Sequence, residues 1–331
     1  MQWGETFRPA YRRLGAVRPA LLKCKPNGTK IAIAAFTATA DPAAQKTIQQ
    51  VLQLQQPAIF KQNPYRQNLH LKVQIVWTPR GRRQQLLKFI EAKPRQAGLV
   101  YVRTRRDSES IAEWLTELGY TTAAYHAGLS PDQRRSIESK WLNGEMPFVV
   151  CTSAFGMGIN KSNVRWVIHF HAPLLLSEYV QEIGRAGRDG KPSIALTLIS
   201  EPTGWLDPED KQRQQFFENK LRSQYQSAQQ LVKKLPAQGE VNAVARQFPD
   251  AAIALSILHS AKNLEWQTPF DYVIANSQHL QFPTQLNATQ QMSSYLYTKQ
   301  CRWQFLLSAF GFSKEAVNMR CRHCDRCSCQ N

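Results

Sequence analysis

Short apolar segments alternate with helix-length polar segments in the middle of the chain. Runs rich in apolar residues predict strands at 98–103, 121–125, 149–152, 164–169 and 194–199. Between them, residues 107–118 and 131–142 predict helices, the first ended by Gly119 and the second capped by Ser130. Strands of parallel sheets are buried on both faces and therefore contain few polar residues. The alternation predicts an α/β fold with a parallel sheet covered by helices on both faces.

The first 65 residues have the pattern of the end of a domain. An apolar run at 31–36 and a shorter one at 58–60 predict strands, and the first is followed by two threonines, Thr37 and Thr39. Residues 42–54 predict a helix with an aspartate cap and a proline at its first position. Hydroxyl groups at the carboxyl end of a buried strand are placed where open parallel sheets have their functional loops.

Residues 201–331 are different in character. Residues 201–234 form a long, glutamine-rich polar stretch that predicts a helix. Residues 243–259 predict two helices separated by a Phe-Pro turn, and a strand pair follows from residue 264. This order is typical of a small winged-helix-like module, although ordinary helical packing remains an alternative because helix–turn–helix is a weak sequence signal.

The chain is strongly basic, with 42 Lys and Arg against 24 Asp and Glu and a net charge of +18 over 331 residues. Residues 61–106 contain twelve of the basic side chains and Glu91 as their single acidic one. Such a surface usually binds a polyanion, nucleic acid before membrane, and a basic surface without a ligand is the alternative. No apolar run approaches a membrane span, and the N-terminus lacks the apolar core of a signal peptide. We expect a soluble, cytoplasmic protein without a membrane partner.

Cysteines are concentrated near the end of the chain, where two Cys-x-x-Cys steps share a residue. Thiolates at this spacing can occupy adjacent corners of a tetrahedron, which predicts a structural Cys₄ site for Zn²⁺. The candidate ligands are Cys301, Cys321, Cys324 and Cys327. Cys329 is an alternative fourth ligand, while Cys24 and Cys151 are expected to be ordinary buried thiols.

Residues 148–188 contain the strongest candidate chemistry. A strand, a glycine-rich loop and a second strand lead to a polar helix that ends with Gln181, Arg185 and Arg188. Two guanidinium groups three residues apart suit phosphate oxygens and can neutralise the charge that develops on a transferring phosphoryl group. The alternative is a helix end whose arginines are solvated.

These segments resemble a known family. Residues 154–161 (AFGMGINK) and 181–190 (QEIGRAGRDG) are similar to motifs V and VI of RecQ-type superfamily 2 DNA helicases. TATAD, from Thr37, resembles motif III, and VYVRTRR, from Val100, resembles motif IV. QCRWQFLLSAFGF, from Gln300, and RCRHCDRC, from Arg320, resemble the RecQ zinc-binding subdomain.

The resemblance implies three regions. Residues 1–65 would be the C-terminal remnant of a first RecA-like domain, and residues 66–200 the second RecA-like domain. Residues 201–331 would form a mostly helical region, with a possible winged helix and a Cys₄ zinc-binding subdomain.

The resemblance also implies roles for individual residues. Arg185, Arg188 and Gln181 are the implied catalytic residues, and together with Gly158 and Asn160 they are the implied nucleotide contacts. The residues implied to contact DNA are Trp3, Phe7, Arg8, Thr37, Thr39, Arg105, His126, Thr152, Ser153 and Lys161. For His126, a loop histidine that caps the backbone is the alternative.

Two motifs of such motors are missing from the chain. No G-x-x-x-x-G-K-[ST] Walker A sequence and no DEAH sequence occurs in the 331 residues. In this family these segments hold ATP with Mg²⁺. The resemblance therefore implies an ATP-dependent 3′–5′ DNA helicase of recombination and repair, acting on single-stranded or partly duplex DNA. It would need a first motor domain, and a separately encoded one is an expected partner. The alternative is a non-catalytic, zinc-stabilised nucleic-acid-binding protein.

Overall fold

The computed structural model describes residues 9–156, 158–275 and 286–328. The chain divides into two compact units. The first, here called the small unit, comprises residues 1–61 and 215–287, and the second, the sheet unit, comprises residues 62–214 and 288–331. The three regions bounded at residues 65 and 200 remain a prediction.

Helices and strands alternate through most of the described chain. A 3₁₀ helix spans Pro9–Ala16. The α-helices are α1 (Val17–Lys23), α2 (Pro42–Val51), α3 (Pro79–Glu91), α4 (Arg105–Glu117), α5 (Pro131–Asn143), α6 (Leu176–Ile183), α7 (Glu209–Val232), α8 (Val241–Gln247), α9 (Ala251–Ser260), α10 (Leu286–Tyr297), α11 (Arg302–Ala309), α12 (Ser313–Ala316) and α13 (Asp325–Ser328). The strands are β1 (Leu69–Val76), β2 (Gly98–Tyr101), β3 (Ala124–Tyr125), β4 (Phe148–Cys151), β5 (Trp166–His169), β6 (Ser193–Ser200), β7 (Gln238–Glu240), β8 (Leu264–Trp266) and β9 (Asp271–Ile274).

The sheet unit is built on six strands in the order β1-β6-β5-β2-β4-β3. Every neighbouring pair is parallel. The carboxyl ends of all six strands consequently lie at one edge of the sheet, where α/β proteins place their functional loops. The predicted parallel sheet is confirmed.

Both faces of this sheet are covered, because successive strand residues point to opposite sides. On one face, Leu99 and Val149 belong to a core with residues of α5, α6, α10 and α11. On the other face, Val100 and Val150 belong to a core with residues of α3 and α4. The predicted helical layers on both faces are therefore present.

Side-chain caps begin the helices that cross between the parallel strands. Thr78 accepts a hydrogen bond from the backbone N–H of Gly81 at the start of α3, and Thr104 caps α4 in the same way. Ser130, predicted as the cap of α5, forms a reciprocal capping box with Gln133. Each cap satisfies a backbone donor that a free helix end would leave unpaired.

The strands predicted at residues 31–36 and 58–60 are wrong. Neither segment is in a sheet among the described residues, and the Phe36 and Phe60 side chains are 94% and 95% exposed. An extended segment forms a strand only when neighbouring strands satisfy its backbone groups, and no described strand pairs with these two. The helix predicted from residue 42 is confirmed as α2, with Asp41 as its cap and Pro42 at its start.

The small unit contains the elements predicted for a winged-helix-like module. Helices α8 and α9 are separated by a turn, and β7, β9 and β8 form a three-stranded antiparallel sheet. No residue of α9 is exposed, and this helix packs against the 3₁₀ helix. A helix that reads a DNA groove must be accessible, so α9 does not have that function in this arrangement.

None of the described helices combines the length with the apolar character that crossing a bilayer requires.

Candidate functional site: the motif V and motif VI segments and a cysteine cluster

The loop after β4, described for residues 152–156 and 158–161, lies at the carboxyl edge of the sheet and contains the segment that resembles motif V. Its start is fixed to the neighbouring strand, because the Thr152 N–H donates to the Tyr125 carbonyl at 3.0 Å. The Thr152 hydroxyl accepts from the Ala154 N–H at 3.5 Å. Ser153, Gly158 and Asn160 are exposed. The loop thus presents small and polar residues to solvent, as a ligand-binding loop requires.

Arg185, in the motif VI segment, is packed against this loop. Its side chain is buried, at 9% exposure, and its guanidinium donates to the Gly156 carbonyl. Gly156 has φ +103°, and a Cβ at this position would lie 2.2 Å from the Arg185 guanidinium. Glycine is therefore required here both for the backbone conformation and for the close approach of the arginine. Arg185 joins motifs V and VI from within its own domain.

Arg188 makes a second, more exposed link between the same segments. Its Nη1 donates to Asn160 Oδ1 at 3.0 Å, and its Nε donates to the Gly184 carbonyl at 3.3 Å. Both Arg188 and Gln181 are exposed. The structure thus brings Asn160, a predicted nucleotide contact of motif V, next to Arg188 of motif VI, and Arg188 is more exposed than Arg185.

Arg66 also supports the motif VI segment, and the sequence analysis did not identify it. It donates from Nη1 to the Ala186 carbonyl at 2.8 Å and from Nη2 to the Gly187 carbonyl. Burial lowers the pKa of Arg66, and the charge of Arg188 lowers it further. The charge of Asp189 acts in the opposite direction and raises the pKa of Arg66.

Behind the two motifs lies a buried charged network centred on Glu182. Arg103 donates to its two carboxylate oxygens at 2.8 and 3.3 Å, and His169 Nε2 lies 2.9 Å from Oε2. Burial alone would raise the pKa of Glu182, but the Arg103 charge and the His169 hydrogen bond bring that pKa to about 2. Burial lowers the pKa of His169. Glu182 thus remains ionised and fixes the helix that presents Gln181 and Arg185.

We predict that Glu182→Gln removes a pH-dependent part of the stability. The pKa of Glu182 is about 2 in the folded protein, against an ordinary value of 4.5 for a glutamate. Its contribution is therefore present above pH 4.5 and lost as pH falls through 2, and it amounts to roughly 3 kcal/mol. Urea unfolding of wild type and variant at several pH values should give a difference that shrinks on acidification.

Glu178, on the same helix, is a control whose effect on the pH dependence of stability has the opposite sign. Burial raises its pKa to about 7, so its charged form opposes folding and wild-type stability falls as pH rises from about 4.5 through 7. Glu178→Gln should therefore gain stability relative to wild type above pH 7. A constant difference between Glu182→Gln and wild type at all pH values would show that Glu182 acts through packing alone.

Some of the predicted DNA contacts are bonded to other parts of the protein, and others are exposed to solvent. The Lys161 ammonium donates to the Leu142 carbonyl at 2.8 Å and lies 5.4 Å from the Trp141 ring centroid, and burial lowers its pKa. Arg105 is exposed. In the small unit, Thr37 is exposed and its hydroxyl accepts from the Thr39 N–H at 3.4 Å. Trp3, Phe7 and Arg8 lie outside the described residues.

His126 has the surroundings of a loop-capping histidine. Its Nδ1 accepts from the Gly128 N–H at 3.2 Å, so Nε2 carries the proton and donates to Glu109 at 2.9 Å. The side chain is buried. Both nitrogens are therefore engaged within the domain, as in the alternative that the sequence left open.

The four predicted zinc ligands are brought together in the sheet unit. The sulfur atoms of Cys301, Cys321, Cys324 and Cys327 all lie within 4.8 Å of one another. Two of the separations are 3.9 Å, between Cys321 and Cys327, and 4.0 Å, between Cys301 and Cys324. Zn–S bonds of about 2.3 Å in a tetrahedron require separations of about 3.8 Å, so this donor set fits Zn²⁺. Cys329 lies outside the described residues, and Cys24, expected to be buried, is exposed.

The cysteine cluster is anchored to β1. Arg302 is fully buried and donates to both oxygens of Asp325 at 2.8 Å, and Asp325 accepts from the Val73 N–H at 3.3 Å. Trp303 Nε1 donates to the Leu69 carbonyl at 3.1 Å. A metal that holds the four cysteines would therefore also stabilise one edge of the parallel sheet.

Comparison with known proteins defines the class. Residues 81–190 match the family described as "Helicase conserved C-terminal domain", and residues 268–328 match the family described as "RecQ zinc-binding". The first includes the motif V and VI segments, and the second includes all four clustered cysteines. Together they define the C-terminal motor domain and the zinc-binding domain of a RecQ-type helicase.

The chain belongs to the RecQ family of ATP-dependent DNA helicases. "ATP-dependent DNA helicase RecQ" of Synechocystis sp. is 47% identical over 329 residues, covering 99% of this chain and 68% of that protein. The Pasteurella multocida protein of the same name is 39% identical over 64% of this chain and 33% of its own length. "ATP-dependent DNA helicase Q5" of Rattus norvegicus is 40% identical over 58% of this chain and 20% of its own length. The chain thus spans a third or less of the last two relatives.

Proposed function

We propose that this chain supplies the second motor domain and the zinc-binding domain of a 3′–5′ DNA helicase that acts in recombination and repair in the cytoplasm. The observation that carries the proposal is the direct link between motifs V and VI, through Arg185 to Gly156 and Arg188 to Asn160. A helicase motor must couple the state of its nucleotide to its binding of DNA. These bonds connect motif VI, which is implied to contact the nucleotide, with motif V, which contains residues implied to contact DNA.

The proposed nucleotide site uses the exposed end of motif VI. Arg188 and Gln181 would contact ATP, with Gly158 and Asn160 beside them, while the buried Arg185 would position the motif V loop. A guanidinium at the transferring phosphoryl group stabilises the charge that develops there. The Mg²⁺ and phosphate ligands are proposed to come from a first RecA-like domain, since the chain has neither Walker A nor DEAH.

The proposed DNA path follows the motif IV and V loops at the carboxyl edge of the sheet. Arg105, Thr152 and Ser153 supply polar and cationic groups there, and Lys161 and His126 support the loops through their backbone contacts. Thr37 and Thr39, with Trp3, Phe7 and Arg8, would act from the first domain. Cys301, Cys321, Cys324 and Cys327 are the proposed Zn²⁺ ligands.

ATP hydrolysis by a fusion protein tests the proposal. Residues 1–331 would be joined to the part of the Synechocystis relative that this chain does not cover. We expect hydrolysis that depends on Mg²⁺ and is stimulated by single-stranded DNA in the fusion, and none in residues 1–331 alone. Arg188→Ala in the fusion should lower the rate by roughly 10³-fold, as loss of an arginine finger does.

Arg135→Ala serves as the matched control, because Arg135 is an exposed arginine on α5. It should hydrolyse ATP at the wild-type rate. Equal rates for Arg188→Ala and the control would contradict the proposed role of Arg188. A fusion that binds DNA but never hydrolyses ATP would favour the second candidate, a non-catalytic zinc-stabilised nucleic-acid-binding protein, which the missing Walker A and DEAH sequences allow.

A further inference from the structure

The loop that follows β6 holds a tryptophan in solvent. Trp205 is 84% exposed, yet the loop that carries it is tightly fixed. The Glu201 carboxylate accepts from the Trp205 N–H at 2.5 Å and from the Leu206 N–H at 3.1 Å. It also accepts from the N–H and hydroxyl of Thr203 at 2.6 and 2.5 Å. One carboxylate therefore organises the backbone on both sides of the exposed ring.

The far end of the same loop is fixed by a second carboxylate. Asp207 is fully buried and accepts from Arg82 at 2.9 Å. Gly204, between the two anchors, has φ +68° and lies against the Lys211 side chain, which a Cβ would approach to 3.2 Å. A surface loop with both ends held by carboxylates keeps its conformation, so the exposure of Trp205 is a fixed property of the fold.

A second exposed tryptophan, Trp77, directly follows the neighbouring strand β1 at the same edge of the sheet. In the parallel register of β1 and β6, Val76 is opposite Ser200, so Trp77 and Glu201 follow paired positions. Trp77 is 62% exposed. Tyr297 is 44% exposed, and the charges of Asp210 and Glu201 add to the effect of burial in raising its pKa. Exposed aromatic rings are thus concentrated where β1 and β6 end.

Both acidic and basic side chains lie in the segments that carry these rings. Asp207 and Asp210 share Arg82, and Glu209 lies 3.0 Å from His171 and 3.8 Å from Arg213. The Glu201 carboxylate is occupied by N–H and hydroxyl donors of its own loop. Arg80 and Lys211 are exposed. Aromatic faces beside free cationic groups are the combination that binds single-stranded nucleic acid without sequence preference.

We propose that Trp205 and Trp77 form a stacking surface for the bases of single-stranded DNA, with Lys211 and Arg80 contacting its phosphates. This inference rests on the proposed function and adds a contact outside the family's motifs. Because the six strands of the sheet unit are parallel, this surface and the motif V loop share one edge of that sheet. Strands β6 and β4 are three positions apart, or about 14 Å at 4.8 Å per strand, so one strand of DNA can reach both.

Binding of fluorescein-labelled dT₂₀ by residues 1–331, followed by fluorescence anisotropy, tests the stacking. Trp205→Ala should weaken binding about tenfold, in the range found for loss of one base-stacking ring. Trp205→Phe should retain most of the affinity, because phenylalanine also offers an aromatic face. Phe270→Ala is the matched control, since Phe270 is 58% exposed and lies in the small unit. It should bind dT₂₀ as wild type does.

Salt titrations separate stacking from phosphate contact. Lys211→Ala should reduce the slope of log affinity against log salt by about 0.7, the value for one phosphate of a single strand, whereas Trp205→Ala should leave the slope unchanged. Equal dT₂₀ affinities for wild type and Trp205→Ala would overturn this inference and leave the proposed function intact. Failure of wild type to bind dT₂₀ would count against the DNA part of the proposed function itself. Loss of self-association in Trp205→Ala, with unchanged DNA affinity, would assign the surface to a second copy of the chain and overturn the inference.

Discussion

Replacing Cys324 with serine should leave the zinc-binding region unfolded. Cys324 is fully buried in the core that also contains residues of the sheet. Binding of a structural Zn²⁺ supplies on the order of 10 kcal/mol in small zinc domains, which is comparable with the whole stability of a typical domain, about 5–15 kcal/mol. Serine cannot provide the thiolate, so we expect substoichiometric zinc, a lower urea midpoint and exposure of Trp303. Zinc released on denaturation and tryptophan fluorescence measure these effects.

Cys24→Ser is the appropriate control, because Cys24 is exposed and lies in the small unit. It should retain one zinc per chain and the wild-type urea midpoint. A strong chelator added to wild type should reproduce the Cys324→Ser result. If Cys324→Ser retained one zinc per chain and unfolded at the wild-type midpoint, Cys324 would not be a ligand, and the structural role of the cluster would be lost.

The motif V and VI segments could be predicted from sequence because their local backbone geometry permits few residue types. Gly156 needs a positive φ and space for a guanidinium, and Ser130 needs only the residues that follow it to form a cap. The cysteine cluster was predictable for a similar reason, since its spacing limits what the thiols can bind. Local constraints of this kind are visible in a single sequence.

Features that depend on distant parts of the chain were missed. Strand β1 contains His70, Lys72 and Gln74 between its apolar residues, so it has no continuous apolar run, and its place beside β6 is fixed only by tertiary pairing. The bond from Arg185 to the Gly156 carbonyl also depends on how two segments of the chain meet, and the role of Arg185 at a nucleotide stays a prediction. Residues 31–36 show the converse error, because their apolar pattern is that of a strand and no described strand pairs with them.

The buried Arg82 is another residue that no pattern indicated. It lies in a polar helical segment, among exposed arginines, yet its side chain is fully buried. It donates to Ser200, Asp207 and Asp210 at 2.7 to 3.0 Å and to the Phe170 and Leu198 carbonyls at 2.6 and 3.3 Å. Burial would lower the pKa of Arg82, but the charges of Asp210 and Asp207 raise it. Arg82 thus connects β5, β6 and the start of α7.

Arg82→Met is expected to destabilise the sheet unit by about 3–5 kcal/mol. Methionine fills a similar volume but leaves the Asp207 carboxylate buried without a cation, which is the costly way to break a buried pair. Urea unfolding followed by circular dichroism should show a lower midpoint. Arg83→Met is the matched control, because the neighbouring Arg83 is exposed and its guanidinium carbon lies 5.1 Å from the centroid of the Trp114 ring. It should cost less than about 1 kcal/mol.

A double variant distinguishes the ion pair from packing. If the cost of Arg82→Met comes from the unpaired carboxylate, adding Asp207→Asn should recover part of it, because the neutral amide has a smaller desolvation penalty. Additive losses in the double variant would instead show that Arg82 acts mainly through its bonds to the backbone carbonyls of Phe170, directly after β5, and Leu198 in β6. Either result bears on the Trp205 loop as well, since Asp207 fixes one of its ends. Loosening of that loop in Arg82→Met should therefore weaken dT₂₀ binding even where the domain remains folded.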